Sequence, residues 1–426
     1  MRMLTDELPD TIGQEVTVAG WVHELRDLGG IKFLLLRDRH GVIQITFLKK
    51  KVTPEIFDIF SELGREYVIK VTGTVCESDI AQMGLEIFPK SVTVLAASDS
   101  PLPLDPTQKV KADFDTRLTH RVLDLRNKDR RLVFHVKACL VAGFREFLEK
   151  NGFCEVHTPK IVATGTEGGT ELFPVQYFEN KAFLAQSPQF YKQMLVGAGF
   201  ERVFEIGPVY RAEQHNTVRH INEYTSMDLE FGFITDDGDV RVLENRLLAY
   251  MHKKIKRECA DKLKELEADI PEVLEKIPSI PFEEAREIAG ETGHDLTPAG
   301  EKKVCDYSVE SFDSEYVFVT AYPQEKRPMY TMPDGELTKS FDLLLRGIEV
   351  TTGGQRIHQY GLLVEKIQQA GLNPEDFDFY LEAFKYGMPP HGGFAIGAER
   401  LTMQVLSLEN IREATFFPRD RSRLVP

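Results

Sequence analysis

The chain has 426 residues, 42% of them hydrophobic and 28% charged, with a formal net charge of −15. That length supports two domains, or one elaborated domain, around a sizeable core. The acidic balance excludes sequence-wide attraction to nucleic acid or membrane but not a local basic face, and without an apolar run of about 18 residues or a secretion signal the chain is expected to be soluble and cytoplasmic.

Five cysteines, Cys76, Cys139, Cys154, Cys259 and Cys305, lie far apart. Their number and spacing fit neither a disulfide framework nor a zinc site. From Glu15 to Val94 the text is strand-like, with "EVTVAGWV", "KFLLLRD", "VIQITF" and "YVIKVTGTV" broken at Gly29-Gly30, His40-Gly41 and Gly73. Such short strands predict a small β-barrel of the OB type over residues 1–100, a fold used to read single-stranded nucleic acid. Within it, Arg26 to Lys51 carries seven Lys/Arg against two Asp, which suits either a basic binding face or a solvated rim.

The Pro-rich "SDSPLPLDP" opens a hinge expected over 101–130. Beyond it, Val136, Leu140, Phe144 and Phe147 recur at helical spacing and Asn151-Gly152 supplies a stop, so a second domain is expected over 131–426. Residues 237–300 read as a charged helical insertion. No internal repeat or low-complexity tract is present.

Neither GxxxxGK[ST] nor GxGxxG occurs, so a nucleotide bound here would be held by side chains. Four stretches carry the candidate chemistry. The first is "PKIVATGTEGGTELF" with Glu167, followed by "SPQFYKQM", where Ser187 would cap a helix carrying Lys192. The second, "VYRAEQHNTVRHINEYTSMDLE", sets Arg211 and Arg219 on either side of a polar loop. The third, "FDLLLRGIEVTTGGQR", offers Asp342, Glu349 and Thr352 as oxygen ligands for Mg²⁺ beside a nucleotide. The fourth, "HGGFAIGAERL", is a Gly-rich strand running into a helix, with Arg400 able to clamp a phosphate and Gly392, Gly393 and Gly397 allowing close approach.

Taken in order, these stretches resemble the class II aminoacyl-tRNA synthetases of the subgroup with an N-terminal OB-fold, and within it the aspartyl enzymes of compact archaeal type. The resemblance covers essentially the whole chain. It implies an α+β fold, with the OB barrel followed by a catalytic domain built on an antiparallel sheet flanked by helices. It also implies ATP and Mg²⁺ as reaction partners, L-aspartate and tRNA as substrates, and a homodimer formed around Pro159.

Residue by residue, the resemblance makes Arg211 and Arg400 catalytic. ATP would meet Arg211, Ala212, Glu213, Arg219, His220, Ile221, Glu349, Gly397, Ala398, Glu399 and Arg400. Mg²⁺ would be held by Glu349 with Thr352 or Asp342, Thr352 standing where the family usually has serine. Aspartate would lie among Glu167, Gln189, Phe190, Tyr191, Lys192, Arg211, Thr352 and Arg356. Lys192 and Arg356 would face its side-chain carboxylate, so that an asparagine would leave two cations without a counter-charge.

In the barrel, Phe33, Gln44 and Glu86 match anticodon-contacting positions. His23 and Gln82 stand where archaeal enzymes restricted to the aspartate tRNA tend to carry Trp and Lys. That departure implies a less demanding contact to the third anticodon base and charging of both tRNA-Asp and tRNA-Asn. Asparaginyl enzymes share the barrel and all three motifs, and "SPQFYK" with Lys192 favours aspartate over that alternative. A synthetase-derived binding module or amide synthetase is disfavoured by the retention of Arg211, Arg400 and the barrel.

Overall fold

The computed structural model describes residues 2–166, 172–214 and 216–426. The chain divides into two compact units, 1–113 and 114–426.

The first unit is a closed barrel of β1 (Glu15–Asp27), β2 (Ile31–Arg37), β3 (Val42–Leu48), β4 (Val68–Glu77) and β5 (Leu85–Ala96), in the order β1-β2-β3-β5-β4. Alternation along each strand sends Val16, Val18, Leu34, Leu36, Ile43, Ile45, Ile69 and Val71 inward, where they pack with Phe57 of the short helix α1 (Pro54–Ile59). The basic stretch is not uniformly a surface. Lys32 lies inside, its ammonium 4.5 Å and 5.2 Å from the Phe57 and Phe60 ring centroids, and Arg37 is buried against Glu66. The Pro-rich stretch belongs to this unit rather than to a free hinge, because Asp105 pairs with Arg65.

The second unit begins with α2 (Phe114–Thr119) and α3 (Arg121–Asp124), inside the stretch expected as a hinge. The fully buried Arg121 fixes them there, pairing with Asp124 and donating to the carbonyls of Thr415 and Phe416. Helix α4 (Lys128–Lys150) starts where Asn127 accepts hydrogen bonds from the N–H groups of Asp129 and Arg130, and ends before Gly152, whose φ of +77° continues no helix.

The stripe Val133, Val136, Leu140, Phe144 and Phe147 of α4 packs on α6 (Asp237–Glu258), reached after α5 (Gln189–Leu195). The expectation of a helical insertion over 237–300 is corrected for 237–258. Val240, Leu243, Leu247, Leu248, Met251 and Ile255 put α6 in the main core, and each such side chain contributes roughly 1.5–3 kcal/mol by burial. Its outward face carries most of the charges read over 237–258.

These helices cover one face of an eight-stranded sheet. Its order is β12 (Ser279–Pro281), β13 (Tyr316–Thr320), β16 (Ser340–Leu345), β17 (Ile348–Arg356), β18 (His391–Gly397), β11 (Glu223–Gly232), β10 (Arg202–Tyr210) and β6 (Cys154–Glu155). Only the outer pairs β12/β13 and β10/β6 are parallel. A three-stranded sheet of β7 (Ile161–Val162), β8 (Pro174–Tyr177) and β9 (Asn180–Leu184), and the hairpin β14 (Pro333–Asp334) and β15 (Leu337–Thr338), stand apart from it.

Strand β11 is buried from Ser226 to Gly232, yet its chemistry alternates. Met227, Leu229 and Phe231 join the helix-side core, while Ser226, Asp228 and Glu230 occupy the opposite face. A buried polar face of that kind needs partners, and those partners make the site.

Candidate active site

Strands β10 and β11 pair as far as Tyr210 and Glu223, leaving Arg211 to Asn222 as the connecting loop. Asn222 pins its base, donating from Nδ2 to the carbonyls of Arg211 (2.7 Å) and Glu213 (3.0 Å) while its own N–H donates to the Arg419 carbonyl. Arg412 pins its tip, donating to the Thr217 carbonyl (3.0 Å) and Asn216 Oδ1 (2.7 Å) while pairing with Asp420 at 2.6 Å. Neither Asn222 nor Arg412 is among the residues that motif and spacing single out. Asn222 stands inside the second stretch, where nothing marks its role, and Arg412 stands outside all four.

Two adjoining cavities open beside this loop. The first, about 690 Å³, brings together Arg211, Glu213, Arg219, His220, Ile221, Glu349, Thr352, Gly397 and Arg400 from three separate stretches of sequence. The second, about 1730 Å³, is bordered by Gln186, Ser187, Gln189, Asp228, Arg327 and Arg356. Arg211, Tyr224, Ser226, Glu349, Thr352 and Ala395 border both. Arg211 thus stands at the junction, its guanidinium 5.9 Å from the Tyr224 ring centroid.

Glu349 and Thr352 share a face because of a β-bulge. Thr351 pairs with Leu343 and Glu349 with Leu344, leaving Val350 as the extra residue. Without it, alternation would send the acid and the hydroxyl to opposite sides of the sheet. With it, Thr352 Oγ1 donates to Glu349 Oε1 at 2.9 Å, and Arg400 donates to the Glu349 carbonyl at 2.8 Å. These are hard oxygen donors of the type Mg²⁺ takes when a substrate's phosphates and water complete its shell. Asp342 is not free to join them. Its carboxylate pairs with Arg327 at 2.9 Å, and burial raises its pKa. Among the described residues no group of three His, Cys, Asp or Glu forms a metal cage.

Helix α5 starts after Pro188, with the Ser187 hydroxyl accepting the Gln189 N–H, so the expected cap is displaced by one residue. Its turn sets Gln189 and Lys192 toward β11, Gln193 toward His391 of β18 and Phe190 elsewhere. Phe190 packs with Tyr330, Phe377 and Tyr380, and with Tyr191 it borders a further cavity that shares Gln186 and Ser187 with the second, so neither side chain lines the second cavity itself. Glu167 lies outside the described residues.

Lys192 is fully buried behind Asp228, bonded to it at 2.9 Å and 3.5 Å from Glu230. Arg356 donates to Glu230 at 3.0 Å and to the Gly393 carbonyl. Burial alone would raise the Glu230 carboxyl, but Arg356 and Lys192 outweigh it and hold it below the usual range. The expected picture of two uncompensated cations is therefore corrected, because each already has a carboxylate partner. Gly393 makes the arrangement possible, since a Cβ there would lie 2.1 Å from the Leu229 carbonyl and 2.5 Å from Glu230 Oε2. It serves the packing of Glu230 and not the approach of a ligand. Ala398 likewise sits in the core, whereas Glu399 borders the first cavity and ties the helix Ala398–Val405 to α4 through Lys137 at 2.7 Å and to β11 through the Thr225 N–H. Ala212 lies on the loop just past Arg211.

Residues 113–421 match the family described as tRNA synthetases class II (D, K and N), and residues 16–95 match the OB-fold nucleic acid binding domain. This chain belongs to the class II aminoacyl-tRNA synthetases. It is 52% identical to the aspartate--tRNA(Asp/Asn) ligase of Methanopyrus kandleri, covering 99% of this chain and 98% of that one. It is 50% identical to the aspartate--tRNA(Asp) ligase of Pyrococcus abyssi with the same coverage. The asparaginyl-tRNA synthetase of Pyrococcus horikoshii, solved with asparaginyl-adenylate, superposes with a TM-score of 0.93 at 30% identity over the whole of both chains.

In the barrel of this synthetase, Phe33 is half-buried on the outer face and absent from the internal core. Across neighbouring strands Glu24 pairs with Leu35, Leu35 with Gln44 and Gln44 with Glu86, forming one row. Gln44 donates to Glu86 at 3.1 Å, Gln82 is exposed on the β4–β5 loop, and His23 is the extra residue of a bulge in β1.

Proposed function

We propose that this synthetase activates L-aspartate with ATP and transfers it to the 3′-terminal adenosine of tRNA-Asp and tRNA-Asn. The observation that carries the reading is Arg211, which borders both cavities at once. The first cavity, with Arg219, His220 and Arg400, suits ATP, and the second, with Gln189, Asp228 and Arg356, suits the amino acid. The aspartate α-carboxylate attacks the α-phosphate, a mixed anhydride forms and pyrophosphate leaves. The adenosine hydroxyl then attacks the acyl carbon and AMP leaves.

No nucleophile of the enzyme is required. Arg211 contributes charge where it builds up in the transition state, Arg400 orients the triphosphate, and the loop held by Asn222 and Arg412 keeps both partners aligned. Mg²⁺, held through Glu349 and Thr352, would neutralise phosphate charge. Selection against asparagine follows from donor orientation and not from net charge. The guanidinium of Arg356, on the border of the second cavity, suits a carboxylate oxygen and would meet an amide NH₂ with a donor facing a donor.

Relatives of both names match at about the same identity, so the tRNA range is read from His23 and Gln82. The reading also takes the enzyme as a cytoplasmic homodimer, supported by apolar Phe416, Phe417, Val122 and Leu424 lying exposed on the catalytic unit. Charging purified tRNA-Asp and tRNA-Asn side by side with labelled aspartate tests it. Comparable product on both is expected, and product on tRNA-Asp alone would restrict the enzyme to one tRNA. ATP–pyrophosphate exchange supported by asparagine and not aspartate would overturn the amino-acid assignment, and light scattering at the mass of one chain would overturn the dimer.

A further inference from the structure

His23 is not free to turn in the barrel. Its Nδ1 lies 3.0 Å from Nη1 of Arg37, whose Nη2 donates to Glu66 at 2.7 Å. Both members of that ion pair are buried, with exposures of 5% and 2%. A guanidinium carries donors only and stays charged. His23 Nδ1 is therefore the acceptor, and the proton of the neutral ring sits on Nε2. Burial and then Arg37 lower the ring's pKa, outweighing the opposing charges of Glu66 and Glu24, so the neutral form is the resting one.

The bulge that carries His23 falls between Val22 and Glu24, at the end of the row formed by Glu24, Leu35, Gln44 and Glu86. We propose that Arg37 is a specificity-determining positioning residue, which fixes His23 as a lone N–H donor aimed at an acceptor shared by cytosine and uracil. The inference rests on the reading in which His23 meets the third anticodon base. The tRNAs for aspartate and asparagine differ there, C against U. Their edges are opposite at position 4, an amino donor in cytosine and a carbonyl acceptor in uracil, whereas O2 is an acceptor in both. A donor directed at O2 accepts either base. A ring turned to show its bare nitrogen would instead seek a donor, which the two bases present from different atoms.

The test uses this chain and both tRNAs carrying a 2-thio pyrimidine at the third anticodon base, which weakens the acceptor at position 2 while leaving the opposite edges at position 4 in place. Loss of one neutral hydrogen bond should lower kcat/KM about threefold to tenfold, equally for the two tRNAs, and the penalty should vanish in His23→Ala. Nitrogen-15 NMR of histidine-labelled enzyme, with His23→Gln as the difference control, should show Nε2 protonated and Nδ1 bare. The paired variant Arg37→Met with Glu66→Gln removes both buried charges together, and it should give a mixture of tautomers and a shifted ratio of tRNA-Asp to tRNA-Asn charging. An Nδ1-protonated ring in the unaltered enzyme, or a thio penalty that His23→Ala retains, overturns the proposal without any variant of the buried pair being needed. Charging of tRNA-Asp alone, with the tautomer and the thio penalty intact, would instead overturn the two-tRNA reading and leave the donor assignment standing.

Discussion

Arg219, on the returning side of the 211–222 loop, forms an ion pair with Glu301 on the helix Pro298–Phe312, a residue 82 positions away in sequence that no motif contains. The guanidinium expected to close over ATP is thus already engaged. Burial pushes the Glu301 carboxyl up to about 7, with Arg219 opposing the rise, so the pair is fully charged only on the alkaline side of neutrality.

Glu301→Gln should therefore lower the KM for ATP about fivefold above pH 8, the size of an ion pair worth about 1 kcal/mol. The difference from the unaltered enzyme should vanish below about pH 6, where Glu301 is protonated anyway. ATP–pyrophosphate exchange across that range measures it, and an advantage independent of pH would remove the competition between Glu301 and ATP.

Arg211 and Arg219 should fail differently. Arg211→Ala should slow adenylate formation by about 10²–10³ with ATP binding little changed, as for loss of a group that acts on developing charge. Arg219→Ala should mainly weaken ATP binding. Single-turnover adenylate formation beside equilibrium ATP binding separates the two, and equal defects in both measurements would refute the division.

Glu230→Gln should cost about 3–5 kcal/mol of stability, because it leaves Arg356 and Lys192 short of a buried partner. The Glu230 carboxyl is held below its ordinary value, so its stabilising contribution is complete above about pH 4.5 and is lost as pH falls through the lower folded value. Thermal melting should show the unaltered enzyme losing stability below that pH and the variant losing less of it there.

Glu244 on α6 predicts the opposite sign. It is fully buried, and burial raises its carboxyl to about 8. A raised acid stabilises the folded state fully below the unfolded value near 4.5, and that advantage is lost as pH rises through about 8. Glu244→Gln should melt higher than the unaltered enzyme at pH 9 and no lower than it at pH 7.

The Mg²⁺ reading distinguishes hydroxyl from shape. Thr352→Ser keeps the oxygen and should leave adenylate formation within about twofold, whereas Thr352→Val should raise the Mg²⁺ concentration needed for half-maximal rate about tenfold. Fluorescence-detected Mg²⁺–ATP binding gives a second readout independent of turnover, and equal behaviour of the two variants would exclude the hydroxyl as a ligand.

What could be read from the sequence was what local pattern carries. The barrel strands, the apolar stripe of α4 and the convergence of Arg211, Arg219, Glu349, Thr352 and Arg400 all follow from motifs whose order along the chain is their signature. Pairings between distant stretches were not legible. Asp342 looked like a free ligand because nothing in its own strand reveals Arg327. Lys192 and Arg356 looked uncompensated because Asp228 and Glu230 lie in another stretch and only the fold brings them close. Lys32 and Arg37 looked like surface charge because barrel closure, which turns them inward, is a property of the fold and not of the stretch. Helix α6 looked like an appendage because its exposed face outnumbers its buried stripe in charge.

The extra residue Val350 also bears on how the enzyme tolerates changes of chain length. In a regular central strand, losing one residue reverses every side chain beyond the gap and is the most damaging lesion the strand can suffer. Here β17 is already one residue longer than β16 requires, and the surplus lies between the acid and the hydroxyl that must share a face. Deleting Val350 would shorten their separation from three positions to two and restore plain alternation with both still on the cavity side. Inserting a residue at the same place would part them, so among lineages of this synthetase shortening should be tolerated at this point and lengthening should not.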